Sequence, residues 1–104
     1  MERLKYDNIF ESITDDPIEA ADLRFRSDLV SMIVDIVEDK KWNQAEVAKA
    51  LGIPQPRVSE LLRGKINLFS ADRLIGYAAK LGIRFKPSYA DHKVICEVEV
   101  LEVA

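Results

Sequence analysis

The chain has 104 residues, of which 48% are hydrophobic and 32% charged, and its net charge is −3. These values are typical of one ordinary globular domain. The single cysteine excludes an intrachain disulfide framework and favours a reducing compartment. The N-terminus is charged, without the apolar core of a signal peptide, and no apolar run approaches the roughly 18 residues of a membrane span. We therefore expect a cytoplasmic protein with no membrane partner.

Charge is distributed unevenly along the chain. Residues 42–86 hold eight basic and three acidic side chains, a net charge of +5. Residues 1–41 have a net charge of −5 and residues 87–104 one of −3. A basic centre is compatible with nucleic-acid binding although the whole chain is acidic. The alternative is that solvated surface charge has this distribution by chance.

Residues 1–16 are predicted to form an N-terminal arm. The arm is too apolar for a plain disordered tail, since its polar residues are interleaved with Leu4, Tyr6, Ile9, Phe10 and Ile13. Two interpretations are open. The arm either folds over the domain's own core or docks on a partner.

The first helix is predicted from Pro17 to about Lys41. Asp16 can cap this helix, and proline suits the first helical position. Its apolar face at helical spacing comprises Leu23, Leu29, Val30, Ile33, Val34 and Val37. The helix is either continuous or broken near Ser27, which could cap a second helix.

A short helix is predicted next, from Gln44 to Leu51. Asn43 and Glu46 form a capping-box pattern at its start, with Trp42 in the position of a hydrophobic staple. Gly52 supplies the left-handed residue that ends such a helix.

A second short helix follows after a tight turn. Pro54 holds the residue before it in an extended conformation, so the helix begins at Gln55 or Pro56. Its buried stripe is predicted to comprise Val58, Leu61 and Leu62.

The outward side of this second helix carries the best candidates for DNA contact. Glutamine pairs with adenine and arginine with guanine, each pair contributing about 1–3 kcal/mol of discrimination. Gln55 and Arg57 are expected to read bases, whereas Arg63 and Lys65 are better suited to phosphate. The full set of expected nucleic-acid-binding residues is Asn43, Gln44, Gln55, Pro56, Arg57, Ser59, Glu60, Arg63 and Lys65.

The last predicted helix runs from Ala71 to about Leu81. Ser70 caps it, and the preceding Leu68 and Phe69 are expected to tuck under the domain. Its predicted buried face comprises Leu74, Ile75, Ala78 and Leu81.

The C-terminal residues 83–104 change to a period of two, which indicates strands. We expect the run to break between Pro87 and Asp91 and an antiparallel pair to set Arg84 and Lys86 against glutamates. The other face should bury Ile83, Phe85, Val94, Cys96 and Val98. We predict that this small sheet lies at a homodimer interface; packing on the chain's own helices is the alternative.

Several motifs resemble a known family. Residues 42–65 resemble the helix-turn-helix of the Cro/phage-repressor (Xre) superfamily, in which a glutamine opens each helix, here Gln44 and Gln55, and an Arg-Gly-Lys triplet ends the unit, here residues 63–65. Over residues 8–86 the chain is similar to HigA-type antitoxins, small repressors encoded beside a ribonuclease toxin. The segments that carry this similarity are residues 8–10 (NIF), 26–29 (RSDL), 55–59 (QPRVS) and 68–70 (LFS).

The resemblance implies a mainly α fold, a lambda-repressor-like helix-turn-helix bundle of four to five helices with a short C-terminal β-hairpin. Residues 1–16 would be the arm, 17–82 the DNA-binding domain and 83–104 the β extension. It also implies a homodimeric repressor that binds double-stranded DNA at a palindromic operator and neutralises a HigB/RelE-like ribonuclease toxin.

Two other functions remain open: a stand-alone Xre-family regulator without a toxin, and an interaction adaptor that no longer reads DNA. Catalysis is not expected, because no phosphate loop or paired-carboxylate motif occurs. His92 and Cys96 would lie about 13 Å apart on a strand, too far to share one metal ion. No cofactor is expected.

Overall fold

The computed structural model describes residues 16–101, so the predicted arm lies outside the described residues except for Asp16. Within residues 16–101, four α-helices precede a β-hairpin. The helices are α1 (Pro17–Lys40), α2 (Gln44–Leu51), α3 (Gln55–Leu62) and α4 (Ala71–Lys80). A 3₁₀ turn (Ile66–Leu68) precedes α4, and the strands are β1 (Ile83–Ala90) and β2 (Lys93–Val100). This mainly helical bundle with a terminal hairpin confirms the predicted fold class.

Helix α1 is continuous through Ser27, which excludes the predicted alternative of a break there. The Asp16 carboxylate accepts a hydrogen bond from the Ile18 backbone N–H at 2.9 Å, as a helix cap does. Lys41 ends the helix in the left-handed conformation, with φ 57°. None of the helices within residues 16–101 is long and apolar enough to cross a membrane.

Helix α2 begins with the predicted capping box. The Asn43 side-chain oxygen accepts from the Glu46 backbone N–H, and the Glu46 carboxylate accepts from the Asn43 backbone N–H, both at 2.8 Å. Gly52 ends the helix with φ 70°, the conformation in which glycine is favoured. Helix α3 then begins at Gln55, and its N-terminus has no side-chain cap because Pro54 occupies the cap position.

The core lies where one face of each helix meets the others. Helix α1 packs on α4, and α2 on α3. The most deeply buried side chains are Leu29 and Ile33 of α1, Val47 and Leu51 of α2, Val58 and Leu61 of α3, and Phe69 and Leu74 from the region of α4. Trp42 is partly buried against this core.

Two burial predictions around α4 are wrong. Ile75 is 41% exposed, and Tyr77 takes its place in the core at 6% exposure. The buried side of α4 therefore follows Leu74, Tyr77 and Ala78, which lie three and four residues apart. In the preceding loop Phe69 is buried as expected, but Leu68 is 44% exposed, because the 3₁₀ turn directs only one of the two side chains inward.

The hairpin has the predicted antiparallel register at its base. Arg84 lies opposite Glu99, and Lys86 opposite Glu97. The Arg84 guanidinium and the Glu99 carboxylate form an ion pair at 3.0 Å. The predicted break from Pro87 to Asp91 is wrong, since β1 continues through Pro87 and the turn consists of Asp91 and His92 alone, with φ 53° and 63°.

The apolar face of the hairpin is buried only near its base. Ile83 is 9% exposed, and Phe85 packs edge-to-face on Phe25 of α1 with ring centroids 5.9 Å apart. Val94 and Val98 are 81% and 54% exposed, and Cys96 is exposed as well. The predicted burial of these last three side chains is therefore wrong for the single chain, because the hairpin extends beyond the helices.

Candidate nucleic-acid interface

The two faces of α3 differ sharply in burial. Val58 and Leu61 are 0% exposed and fix the helix to the core. On the outward side Gln55 and Pro56 are exposed, whereas Ser59 and Glu60 are partly exposed. The residues predicted to read DNA bases therefore lie on the solvent-facing side of the helix.

Arg57 is the most constrained of these outward side chains. Its guanidinium forms an ion pair with Glu60, Nη1 to Oε1, at 3.0 Å. The guanidinium carbon also lies 5.8 Å from the centroid of the Phe69 ring, within cation–π range. With 43% of its side chain exposed, Arg57 is accessible to a ligand and yet oriented before any ligand arrives.

Arg63 and Lys65 lie beyond the C-terminal end of α3, and both are exposed. The Arg63 Nε donates to the Ser59 carbonyl oxygen at 3.3 Å. Gly64 between them has φ 75°, so the chain turns sharply at this point. Two exposed positive charges thus follow the C-terminal end of α3, whereas Gln55 and Arg57 lie in its first turn.

Asn43 and Gln44 are exposed at the N-terminus of α2. Because the Asn43 oxygen accepts the capping hydrogen bond from Glu46, only its amide NH₂ group is left to donate to an anion. Gln44 is exposed at the first position of α2, so both ends of its side-chain amide can bond an external partner.

Arg26 of α1 is a supporting residue that the sequence reasoning missed. Its Nη1 donates to the Ile66 and Phe69 carbonyl oxygens at 2.9 and 3.4 Å, and its Nη2 pairs with Asp22 at 2.8 Å. Arg26 thereby fixes the loop that places the Phe69 ring beneath Arg57. A signal for this role was present, since Arg26 shares the helical face of the buried residues Leu29 and Ile33.

The carboxyl group of Asp72 lies in the first turn of α4. A hydrogen bond from the Ser70 side chain, together with backbone N–H groups, lowers the pKa of Asp72 below its usual value. The Ser70 oxygen also accepts from the Arg73 N–H at 3.3 Å, so one hydroxyl both caps the helix and stabilises the carboxylate. A charged Asp72 carboxylate at this position stabilises α4, because the N-terminus of a helix carries a partial positive charge.

Helices α2 and α3 are short and are joined by a tight turn. Apolar residues anchor α3 to the core, and its outer side is polar. This arrangement defines a DNA-binding helix-turn-helix domain. A family model described as a helix-turn-helix domain matches residues 13–86. The chain belongs to this family. No curated protein matches the chain.

Proposed function

We propose that this protein is a sequence-specific transcriptional repressor that binds a palindromic operator as a homodimer. Helix α3 of each copy would enter the major groove, with the two grooves about 34 Å apart on one side of the duplex. One observation carries the proposal: Gln55, Arg57 and Ser59 lie on the outward side of α3 while Val58 and Leu61 anchor its other side. In this account the protein binds its ligands and catalyses no reaction.

The roles within the site divide by chemistry. Gln55 and Arg57 contact base edges, because their amide and guanidinium groups offer the paired donors and acceptors that bases require. Asn43, Gln44, Arg63 and Lys65 contact phosphates around the groove and set the register of the protein on the duplex. Pro56, Ser59 and Glu60 border the base-reading row and shape the surface that meets the groove.

Binding to DNA from upstream of the protein's own gene tests the proposal. Fluorescence anisotropy at low salt should show saturable binding, which Gln55→Ala should weaken by about 1–3 kcal/mol. Arg73→Ala is the matched control, since Arg73 is an exposed residue of α4 outside the proposed site. Undetectable binding to this DNA at low salt, or equal losses in both variants, would contradict the proposal.

We further propose that the repressor is the antitoxin of a toxin–antitoxin pair and neutralises a HigB/RelE-like ribonuclease. The similarity to HigA-type antitoxins supports this role, and so does the net charge of −5 in residues 1–41, which complements a basic RNA-handling protein. Co-expression with the adjacent reading frame, followed by affinity purification, should recover a stable complex. Co-expression should also relieve any growth arrest that the neighbour causes alone.

Two results would favour other functions. If no small basic protein is encoded beside the gene, a stand-alone regulator fits better. If the neighbour binds stably but the upstream DNA is not shifted at low salt, the protein is an interaction adaptor that retains the fold without reading DNA.

A further inference from the structure

Within residues 16–101 the sheet consists of β1 and β2 alone, and its two outer edges differ in their hydrogen-bonding capacity. The Leu101 N–H donates to the Gly82 carbonyl oxygen at 2.6 Å, which fixes the alternation of paired and unpaired backbone groups along the two strands. By this alternation, the residues of β2 whose N–H and C=O groups point away from β1 are Val94, Cys96, Val98 and Val100. Because β2 contains no proline, this edge keeps its full set of donors and acceptors.

The opposite edge, that of β1, is interrupted. Pro87 lies opposite Cys96, and by the same alternation its nitrogen faces away from β2. A proline nitrogen carries no hydrogen, so the outer edge of β1 lacks a donor at its centre. Another strand can therefore pair with β2 more completely than with β1.

The open edge coincides with an exposed apolar surface. Val94, Val98 and Val100 are 81%, 54% and 76% exposed, and their side chains project to the same face of the hairpin as Phe85. That face is directed toward the helices, as the contact between Phe85 and Phe25 shows. A contiguous apolar patch of this kind on a soluble domain is typical of a protein–protein interface.

We propose that β2 pairs antiparallel with β2 of a second copy of this chain, giving a four-stranded sheet with the two β1 strands outermost. The inference deepens the proposed function by naming the interface of the homodimer. A two-fold axis perpendicular to the sheet keeps both apolar faces on one side, so the valines of β2 meet at the centre of a continuous apolar surface. The helices of both copies lie on that same side.

The charges on the other face of β2 select the register. With Cys96 opposite Cys96 of the second copy, Lys93 lies opposite Glu99 at both ends of the overlap, and Glu97 lies opposite Ile95. If the two-fold axis passed through Glu97, the two copies of Glu97 would lie directly opposite each other. If it passed through Val98, Glu97 of each copy would lie opposite Glu99 of the other. Both registers oppose like charges, which is destabilising. The register centred on Cys96 gives the longest overlap without opposed like charges.

Oxidative cross-linking of the unmodified chain tests both the pairing and the register. In the proposed register the two Cys96 Cα atoms lie about 5.5 Å apart, within the range of roughly 4.4–6.8 Å that a disulfide spans. Mild oxidation at a concentration where the protein is dimeric should therefore convert most of it to a disulfide-linked dimer on a non-reducing gel. The matched control is Cys96→Ser with Glu97→Cys, which places the two sulfurs too far apart to join. A monomeric native protein, no cross-link through Cys96, or an equal cross-link in the control would overturn the proposal.

A substitution that removes one backbone donor per copy provides the second measurement. Val94→Pro deletes an N–H on the open edge only, so the hairpin retains its own hydrogen bonds; Val94→Ala truncates the same side chain and keeps the donor. The dimer dissociation constant from sedimentation should rise at least about tenfold for Val94→Pro and much less for Val94→Ala. Helical circular dichroism verifies that both variants fold, and equal dissociation constants would overturn the proposal.

Binding to a single operator half-site separates this inference from the proposed function. If β2 forms the interface, Val94→Pro binds the half-site with the affinity of the native protein. It loses only the higher affinity that the native dimer has for the full palindrome. If the protein does not bind DNA at all, the cross-link and the dissociation constants still decide whether β2 forms the interface.

Discussion

At the scale of single residues, the neighbours of Arg57 orient a side chain that we propose reads DNA bases. The Glu60 carboxylate and the Phe69 ring hold the guanidinium on two sides, which reduces the rotamer freedom that binding would otherwise remove. Among residues 16–101, the exposed Arg63 guanidinium donates one hydrogen bond, to the Ser59 carbonyl oxygen. The first arrangement suits contact with a particular base, and the second suits contact with a phosphate at variable positions.

Arg57→Ala should therefore relax base preference at one operator position, reducing discrimination by about 1–3 kcal/mol. Arg63→Ala should weaken binding to all sequences alike and reduce the salt slope by about one unit. Anisotropy titrations at several salt concentrations, on the operator and on single-base variants, measure both effects. The same uniform loss in both variants would show that the division into base-reading and phosphate-binding residues is wrong.

Asp72 gives a prediction about pH. Because its pKa is lower in the folded protein than in the unfolded chain, the folded state is favoured while the carboxyl is charged, and this contribution is lost as pH falls through the folded pKa. Ser70→Ala should move the pKa of Asp72 back toward its usual value and make stability less dependent on acid pH. NMR titration of the Asp72 carboxyl carbon measures the pKa; an unchanged titration would mean that Ser70 does not set it.

At the scale of elements, the helix boundaries were predictable and the long-range contacts were not. The caps at Asp16, Asn43 and Ser70 depend on residues two or three positions away, so the local sequence contains the whole interaction. The outward placement of Gln55 likewise follows from the spacing of the buried residues on α3. By contrast, Arg26 bonds carbonyl groups 40 and 43 residues along the chain. Its place on the buried face of α1 indicated that the side chain points inward, but not which groups it contacts.

The errors in burial have related causes. Ile75 and Tyr77 both fit an apolar stripe on α4, and the choice between them depends on how α1 packs against that helix. Pro87 was expected to end a strand, but its missing donor is harmless where the nitrogen faces an open edge. Val94 and Val98 are exposed because, within residues 16–101, the hairpin extends beyond the helices that bury its base.

Arg26 joins α1 to the loop after α3, and its removal should affect both stability and DNA binding. Arg26→Ala removes the hydrogen bonds to the Phe69 and Ile66 carbonyl oxygens, of which the Ile66 oxygen still accepts from the Phe69 backbone N–H at 3.2 Å. The substitution should lower the free energy of unfolding by about 1–3 kcal/mol. Urea denaturation measures this loss. Arg26→Lys, which keeps the charge but not the planar set of donors, should recover only part of it. If Arg26→Ala is as stable as the native protein, the loop does not depend on this residue.

At the scale of the whole molecule, the proposed homodimer makes DNA binding depend on how its two copies are placed. In that dimer the distance between the two α3 helices sets the operator spacing. Changing the half-site separation by half a helical turn should therefore abolish the extra affinity for a palindrome over a single half-site. Competition titrations with spacer variants of the operator measure that gain. Equal affinity for all spacings would mean that the copies bind independently.

The proline in β1 has a consequence for growth of the assembly. In the proposed dimer, where the two β2 strands pair, both outer edges of the sheet built by residues 83–100 carry Pro87 at their centre. A further strand could not be added there in full register, so the assembly would stop at two copies. Pro87→Val would restore the donor and a β-branched side chain, and light scattering at high concentration should then detect chains of sheets longer than the native species. By this reasoning Pro87 prevents a protein with an unpaired strand edge from assembling into a fibril.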